Sequence, residues 1–514
     1  MKKIDTVVLN GDDLTLDELV AVARHGAKAL LSREAIDQVN KSRKIIDDIV
    51  ANERVVYGVT TGFGSLCNVS IDRKDCAQLQ ENLIRTHSCG FGNPFATEVV
   101  RAIMLIRANA LIKGYSGIRL STLELLVDML NKGVHPMIPE KGSLGASGDL
   151  APLAHLVLPM LGLGQAEFGG ELLSGKVAMD KAGLEPIKLA AKEGLALING
   201  TPVLTGAGAL ATYDAIQLAK LSDVIGALTI EASRGIVDAF DARLHSIRPH
   251  GGQITTAANM VRLLDGSTYT THQAEIRVQD AYSLRCIPQI HGATKDALRF
   301  VKEKVEIEIN SVTDNPIVLP DGDVISGGNF HGEPMALPFD FLGIGVAEIA
   351  SVSERRLERL INHSLSGFPS FLVKHSGLNS GFMITQYAAA ALVSENKILA
   401  HPASVDSIPS CENQEDLVSM GTIAARKAND IVKNAQRVLA TEMLAACQAL
   451  DFLKKEGFTL GKGTQAAYDV VRQTVDFIEY DKNIEMYDEL EKATELVKNG
   501  SVLEAVEAVV IVEA

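Results

Sequence analysis

The amino-acid sequence predicts a mainly α-helical protein, an elongated bundle of long helices with a loop-rich N-terminal region. Three observations lead to this prediction. The 514 residues are 46% hydrophobic, contain no tryptophan and are rich in Ala, Leu and Val. The stretch 203–234 is apolar almost all round, which is typical of a helix inside a bundle. Capping boxes that begin at Thr15 and Ser501 indicate helix starts near both ends of the chain.

Three successive regions are expected within one elongated helical unit. Length alone suggests about three domains, but we find no internal repeat, low-complexity tract or clear linker. We therefore expect an N-terminal helical region over 1–200 with a lid loop and a glycine turn. A central bundle of long helices should cover 201–455, and a helical tail 456–514.

The N-terminal region alternates helices with glycine-rich loops. The first helix should run from the Thr15 cap toward Arg24, and the second should place apolar residues between Ile36 and Val50 on one face. Residues 57–65 are too rich in glycine to be helical, and flexible glycines around Tyr57 suit an active-site lid. Further helices are expected over 78–87, 95–132 and 150–161, with a hairpin over 168–179.

The central region and the tail consist mostly of long apolar stretches. Asn199 precedes the first of them, where it is either a structural hydrogen-bonding group or a ligand contact. If 278–286 is helical, then Gln279, Tyr282 and Arg285 share one face, and the phenol and guanidinium form a reasonable carboxylate clamp. Helices are expected over 203–234, 293–311, 336–364, 380–399, 414–453 and 464–477, followed by an acidic pair broken at 499–500.

Composition argues against several classes of protein. The net charge of −15 disfavours nucleic-acid binding, which needs a basic face. The six cysteines form no C-x-x-C pair, and the twelve histidines form no His-x-x-x-His or His-Glu-x-x-His pattern, so neither a disulfide framework nor a metal site is expected. Glycine pairs without a preceding strand do not support a nucleotide site. With no signal peptide and charges interrupting the apolar runs, we expect a cytoplasmic protein without a membrane span.

One stretch, residues 142–155, organises the rest of the chain. It reads Gly-Ser-Leu-Gly-Ala-Ser-Gly-Asp-Leu-Ala-Pro-Leu-Ala-His. Gly145 and Gly148 permit backbone geometries that a side chain would forbid, and Pro152 suits the first turn of a helix. The expected structure is a tight, buried turn that leads into a helix N-terminus.

This stretch strongly resembles the signature of the aromatic amino-acid ammonia-lyases. The resemblance implies that Ala146, Ser147 and Gly148 cyclise autocatalytically, with loss of water, to 4-methylidene-imidazol-5-one (MIO). This group is an electrophile that no ordinary side chain supplies. The resemblance extends over roughly 50–455 and implies a fold like that of the ammonia-lyases and of the fumarase–aspartase enzymes. It also implies a homotetramer in which three chains assemble each site, with no metal or nucleotide cofactor.

The resemblance also implies roles for individual residues. Tyr57 and Tyr282 correspond to acid/base groups, Asn199 and Gln279 to polar contacts at the ring and substrate, and Arg285 to the contact with the substrate carboxylate. Phe330 should pack near the ring. Which tyrosine is the base, and whether the product is that of a lyase or an aminomutase, stays open.

The substrate pocket resembles that of the histidine-specific members. Thr86-His87 is similar to their Ser-His, and Glu415 stands where phenylalanine-specific members carry Gln. A buried carboxylate suits an imidazole N–H, and Met383 could supply an apolar wall beside it. Leu417 departs from the pattern, because histidine-specific members usually carry His there. On the evidence of His87 and Glu415, we expect conversion of L-histidine to trans-urocanate, with both side chains facing the imidazole.

Three alternatives remain. The chain could act on phenylalanine or tyrosine as a lyase or aminomutase of the same family. Ser147 could belong to a serine hydrolase, although it does not lie in Gly-x-Ser-x-Gly. The fold could also be a helical scaffold that has lost its chemistry. The ultraviolet absorption of a cyclised tripeptide would separate a lyase from the last two.

Overall fold

The computed structural model describes residues 4–454, 457–479 and 484–514, and α-helices dominate them. The predicted mainly α-helical class is confirmed. In the described residues the α-helices are α1 (Leu16–His25), α2 (Arg33–Ala51), α3 (Cys76–His87), α4 (Thr97–Ile112), α5 (Leu120–Lys132), α6 (Leu150–Val157), α7 (Gly175–Lys181), α8 (Glu193–Ile198), α9 (Pro202–Ala232), α10 (Ala242–Ser246), α11 (Gly251–Leu263), α12 (Tyr282–Arg285), α13 (Ile287–Glu308), α14 (Glu333–Ile361), α15 (His363–Ser366), α16 (Met383–Leu399), α17 (Gly421–Leu453), α18 (Lys462–Thr474), α19 (Met486–Lys498) and α20 (Ser501–Glu507).

Short strands and 3-10 turns connect these helices. The strands are β1 (Thr6–Leu9), β2 (Lys28–Leu31), β3 (Phe91–Pro94), β4 (His135–Pro136), β5 (Pro139–Lys141), β6 (Gln165–Phe168), β7 (Glu171–Ser174), β8 (Ile317–Val318) and β9 (Val324–Ile325). β1 pairs with β2 in parallel, and the antiparallel sheets are β3-β5, β4-β6-β7 and β8-β9. The 3-10 turns are Gly64–Leu66, Arg73–Asp75, Leu158–Leu161, Val237–Phe240, Ser370–Leu372 and Cys411–Asn413.

The described chain forms two compact units. The first contains 4–213, 302–340 and 402–426, and the second contains the described parts of 214–301, 341–401 and 427–514.

In the first unit, α4 is the core helix. Every residue from Val99 to Ile112 except Arg101 is buried in it, and it packs against α1, α2 and α5. A second group of helices in this unit, α3, α6 and α8, packs together. His87 is the last residue of α3, and α6 begins at Leu150, directly after the glycine turn. Helix α8 ends at Ile198, next to Asn199.

The Thr15 capping box is confirmed, whereas the one predicted at Ser501 is wrong. The Glu18 backbone N–H donates to Thr15 Oγ1 at 3.2 Å, and the Thr15 N–H donates to Glu18 Oε2 at 2.9 Å. At the other end, Gly500 occupies the cap position and Ser501 is the first helical residue, with no side-chain capping bond. Gly500 has φ +77°, a conformation that favours glycine, and it takes the cap position, so the helix begins one residue earlier than a capping box at Ser501 requires.

Two predicted helices are shorter than expected, and one is divided in two. The helix expected over 414–453 begins only at Gly421, because Met420 directly before it has φ +54°, outside the range of a right-handed helix. A left-handed turn at Cys411, Glu412 and Asn413, with φ of 50°, 55° and 65°, precedes this segment. The stretch 278–286 is helical only in α12, so Gln279 precedes the helix. The helix expected over 95–132 is divided into α4 and α5, with left-handed glycines at 114 and 117.

Helix α14 is apolar enough to raise the question of a membrane span. Among the described residues it is the one helix that is long and apolar enough to cross a membrane. However, 61% of its most apolar window is buried inside the protein, as in a core helix.

A network of charged side chains lies inside the second unit. Arg356 forms a two-point salt bridge with Glu442, at 2.6 Å from Nε to Oε1 and 3.0 Å from Nη2 to Oε2, and both side chains are fully buried. His291 joins the Arg356 guanidinium to Asp223. Lys295 donates to the same aspartate at 2.6 Å. Each charge therefore depends on its partner, because a buried charge left alone is costly.

We expect Arg356→Met to lower the free energy of unfolding by about 3–5 kcal/mol, because Glu442 would remain buried and unpaired. Denaturant unfolding followed by circular dichroism, at fixed protein concentration, measures the loss. Arg299→Met is the control, since Arg299 pairs with Asp296 at the surface. It should lower the free energy of unfolding by about 1 kcal/mol or less. The double variant Arg356→Met/Glu442→Leu should recover part of the loss. Equal effects of the Arg356 and Arg299 substitutions would contradict the expectation.

Candidate active site

The predicted glycine turn is present, and hydrogen bonds lock it against a second turn. The Gly148 N–H donates to the Gly145 carbonyl at 3.2 Å, and the Asp149 N–H donates to the Gly200 carbonyl at 2.7 Å. The Gly200 N–H in turn donates to the Ser147 carbonyl at 3.0 Å. Ser147 has φ +53°, and a Cβ on Gly148 would lie 2.0 Å from the Gly200 oxygen. The turn thus requires glycine at 148 and holds Ser147 in a strained, left-handed conformation.

Asp149 anchors this turn to the start of α9. Its Oδ2 accepts the backbone N–H groups of Val203 and Leu204, both at 2.9 Å. Its Oδ1 accepts the hydroxyls of Ser143 at 2.8 Å and Thr422 at 2.5 Å. Burial raises the pKa of this carboxyl, and the four hydrogen bonds oppose that shift. Asp149 therefore caps α9 from outside the helix and satisfies two donors that would otherwise be unpaired.

A cavity of about 600 Å³ lies beside Ser147 in the first unit. Four predicted site residues line it: Tyr57, His87, Ser147 and Glu415. The rest of its wall is mostly apolar and includes Phe63, Leu66, Val69, Ile71, Leu79, Leu83, Leu150 and Leu195. The structure thus brings together residues spread over most of the chain, and the cavity suits a ligand with one apolar and one polar end.

A second cavity, of about 310 Å³, touches the other two residues of the tripeptide, Ala146 and Gly148. Thr86, His87 and Leu150 line both cavities. The tripeptide is therefore open to small molecules from both cavities.

Glu415 is held at the polar end of the larger cavity by the left-handed turn before it. Ser147 Oγ donates to Glu415 Oε1 at 3.3 Å, and Ser410 Oγ donates to Oε2 at 3.2 Å. The backbones of Ser410 and Glu415 also pair across the turn. Because the carboxylate accepts only these hydroxyls among the described residues, it retains acceptor capacity for a ligand N–H.

His87 and Tyr57 are both neutral at neutral pH in this environment. Burial lowers the pKa of His87, at the end of α3, and the charge of Glu415 only partly opposes this. Burial raises the pKa of Tyr57, and the charge of Glu415 raises it further. The phenol oxygen of Tyr57 accepts the Gly64 N–H at 3.1 Å, which fixes it within the predicted lid loop.

Cys411 is a cavity residue that the sequence analysis did not identify. Its Sγ accepts the Ser65 N–H at 3.2 Å, and a Cβ on Gly64 would lie 2.5 Å from the same sulfur. The thiol therefore joins the lid loop to the turn before Glu415. Nothing in the local sequence around Cys411 indicates this contact, because its partner lies 346 positions away.

Asn199 is buried with one polar atom unpaired. Its Nδ2 donates to Asp314 Oδ1 at 3.1 Å and to the Asn315 carbonyl at 2.9 Å, whereas its Oδ1 has no partner among the residues that the structure describes. The backbone carbonyl of Asn199 accepts Arg107 Nη2 at 2.8 Å. A buried acceptor without a partner, next in sequence to Gly200, fits a group that forms or binds at the glycine turn.

The other predicted residues lie elsewhere in the chain. Phe330 is half-buried in the first unit and does not line the described cavity. The remaining four belong to the second unit. Tyr282 is 71% exposed, and the Arg285 guanidinium lies 4.8 Å from its ring centre, so these two residues share a face as predicted. Gln279 lines a small cavity of about 170 Å³, and Met383 begins α16.

No group of three or more His, Cys, Asp or Glu side chains suited to a metal ion occurs in the part of the chain that the structure describes. Ser147 donates to a carboxylate, and the hydrogen bonds of the described residues include none from it to a histidine. The geometry thus lacks the Ser–His contact that a serine hydrolase requires.

Comparisons with known proteins give one consistent result. The family model "Aromatic amino acid lyase" matches residues 14–473. A protein of Clostridium tetani named histidine ammonia-lyase is 73% identical over 513 residues, which cover 100% of both chains. The crystal structure of histidine ammonia-lyase from Trypanosoma cruzi is similar with a TM-score of 0.91 and 42% identity, covering 98% of this chain and 96% of that one. Tyrosine aminomutase from Streptomyces globisporus has a TM-score of 0.94 and 39% identity, with 99% of each chain covered.

We expect Asp149→Ala to destabilise the protein by at least about 1–3 kcal/mol, because the N–H groups of Val203 and Leu204 would lose their buried acceptor. Asp149→Asn should cost much less, since the amide can still accept these N–H groups and donate to the neighbouring hydroxyls. Thermal unfolding measures the difference. As a control, Asp241→Ala removes the exposed cap of α10 and should lower the thermal midpoint much less, because water can satisfy the exposed N–H. An Asn variant as unstable as the Ala variant would contradict this account of Asp149.

Proposed function

The chain belongs to the aromatic amino acid lyase family, and we propose that it eliminates ammonia from L-histidine to give trans-urocanate. The observation that carries the proposal is the position of Glu415, whose carboxylate lies beside Ser147 in a largely apolar cavity. A phenyl ring offers a carboxylate no hydrogen bond, whereas the imidazole of histidine offers an N–H donor. The full-length similarity to proteins named histidine ammonia-lyase supports the same assignment.

The proposed cofactor is MIO, formed by cyclisation of Ala146, Ser147 and Gly148. Three features of the turn fit it: the left-handed Ser147, the need for glycine at 148, and the oxygen of Asn199, which lacks a partner among the described residues. Once formed, the ring would supply the electrophile that activates the amino acid for elimination. The proposal invokes no metal or nucleotide.

The cavity residues have proposed roles that follow from their charge states. Glu415 binds the imidazole through one ring N–H, and neutral His87 can donate to or accept from the same ring. Tyr57 is a neutral phenol here, and its raised pKa suits a proton donor better than a free phenolate base. This favours Tyr282 as the base that removes the β-proton of the substrate.

The second-unit residues have proposed roles in the same reaction. Arg285 binds the substrate carboxylate, Gln279 contributes a polar contact, and Met383 forms part of the apolar wall. Phe330, from the first unit, packs near the ring.

We propose a homotetramer in which three chains build each site, and a cytoplasmic location. Exposed apolar side chains support an assembly, since patches of this kind mark protein–protein contacts. In the second unit, α16 exposes Ile384, Tyr387 and Ile398, at 59%, 58% and 71%. In the first unit, the segment after Pro402 exposes Val405 and Leu417.

A second candidate is a lyase or aminomutase acting on tyrosine or phenylalanine. The similarity to the tyrosine aminomutase fold favours it, as does Leu417 in place of the usual histidine. Leu417 is 65% exposed and is not among the residues that line the cavity beside Glu415. It therefore leaves the Glu415 argument intact.

The intact mass of the purified protein should fall short of the encoded mass by two water molecules, because cyclisation of 146–148 releases them. Ser147→Ala should keep the encoded mass, since it has no hydroxyl to lose, and should retain the fold while losing nearly all activity. Mass spectrometry, ultraviolet absorption and a turnover assay measure these outcomes. Full activity with the unmodified mass would refute the cofactor assignment.

Histidine should be the preferred substrate, and Glu415→Gln should lower kcat/KM on histidine by at least about 100-fold, because a polar contact in the pocket loses its charge. Efficiency on phenylalanine and tyrosine, measured in parallel, should not fall. Glu412→Gln is the matched control, since this exposed carboxylate lies in the same turn and should leave all three values unchanged. A natural protein that prefers phenylalanine or tyrosine would defeat the histidine assignment while leaving the lyase chemistry in place.

A further inference from the structure

A buried ion pair lies directly behind Asn199. Lys192 Nζ donates to Asp314 Oδ2 at 2.6 Å, and the two side chains are 0% and 1% exposed. The other carboxylate oxygen, Oδ1, accepts Asn199 Nδ2 at 3.1 Å. One aspartate thus connects a buried lysine to the side-chain amide of Asn199.

This arrangement decides which way the Asn199 amide points. Both groups facing it from this side, Asp314 Oδ1 and the Asn315 carbonyl, are acceptors. The amide must therefore present its NH₂ to them, and its oxygen is left on the other side, where the described part of the chain offers it no partner. Because Asp314 Oδ2 accepts Lys192 Nζ and Oδ1 accepts Asn199 Nδ2, both carboxylate oxygens act as acceptors, and neither offers the amide oxygen a donor that would favour the reversed amide.

Stability alone does not account for this pair. Two charges withdrawn from water at such a site are often no more stabilising than well-packed apolar residues of similar volume. Lys192 is also held at φ +70°, a conformation disfavoured for a residue with a side chain. These costs are understandable if the pair serves the orientation of its neighbour.

The backbone of Asn199 is fixed just as firmly. Arg107 donates to its carbonyl at 2.8 Å and to the Ala196 carbonyl at 3.2 Å, and the next residue, Gly200, is bonded to Ser147. The unpaired amide oxygen therefore has a defined place next to the glycine turn. Being an acceptor, it needs a donor, and the donor that an amino acid brings to this turn is its amino group.

We propose that Asp314, with Lys192 as its counter-charge, is a positioning residue that orients the Asn199 amide so that its oxygen accepts an N–H from the substrate amino group. The inference rests on the proposed ammonia-lyase function. Asp314 does not touch the substrate; it acts only through Asn199.

A double-mutant cycle between Asp314 and Asn199 tests this proposal. We expect Asp314→Asn to lower kcat by about 10- to 100-fold, while intact mass shows that 146–148 still cyclises. Asn199→Ala should lose at least as much. Adding Asp314→Asn to Asn199→Ala should cause no further loss, because the group through which Asp314 acts is already gone. Independent, multiplicative losses, or wild-type kcat in Asp314→Asn, would overturn the proposal.

Two further variants separate orientation from general destabilisation. Lys192→Met/Asp314→Asn removes both charges, so it tests the proposal without an unpaired buried lysine, and it should show the same loss in kcat. The matched control is Lys295→Met/Asp223→Asn, which removes another fully buried pair at 2.6 Å, in the second unit. It should lower the thermal midpoint without changing kcat. A similar fall in kcat in the control would show that any lost buried pair suffices and would overturn the proposal.

The cycle is measured on whichever of histidine, phenylalanine or tyrosine the natural protein converts fastest. A wrong substrate assignment therefore leaves the test of Asp314 intact. A natural protein that converts none of the three refutes the proposed function, and this inference with it.

Discussion

The lock between the glycine turn and Gly200 is the constraint on which the rest of the site depends. The carbonyl of Ser147 and the N–H of Asp149 bond to the same glycine, and neither Gly148 nor Gly200 has room for a Cβ. Because Asp149 also caps α9, the turn is tied to a 31-residue helix that is mostly buried. A strained serine persists here because the surrounding bonds over-determine its conformation.

Buried charge in the first unit is concentrated around this lock. Arg107, Lys192 and Asp314 lie behind Asn199, and Asp149 lies at the start of α9. Burial lowers the pKa of Arg107 to about 10, so it stays charged at neutral pH. Each of these groups is bonded to backbone or to another charge, which offsets the cost of removing it from water. Among the described residues of this cluster, the oxygen of Asn199 and Nε of Arg107 have no hydrogen-bond partner, and an N–H group of a ligand would satisfy the oxygen.

The large cavity combines a mostly apolar wall with a few polar groups. Leucine, isoleucine and valine side chains form much of the wall, and Tyr57, His87 and Glu415 line the same cavity as Ser147, with Glu415 bonded to the serine. Low polarity around these groups keeps the imidazole and the phenol neutral and strengthens their hydrogen bonds. Membership of the aromatic amino acid lyase family and this combination of an apolar wall with polar groups point to the same kind of substrate, an amino acid with a ring.

The sequence by itself determined the helical class, the glycine turn and the family, because periodic apolar residues and a fourteen-residue signature are local properties of the chain. It also identified Tyr57, His87, Ser147 and Glu415, though only by resemblance and without their geometry. Local patterns misplaced the start of α17, which follows the left-handed Met420, and the cap of α20, where the left-handed Gly500 takes the place predicted for Ser501. Only the tertiary structure revealed the partners of Asp149, the contact of Cys411 with the lid loop and the link from Lys192 through Asp314 to Asn199. Apart from the bond between Ser143 and Asp149, these contacts join residues 54 to 346 positions apart, and no local pattern encodes which distant groups meet once the helices pack.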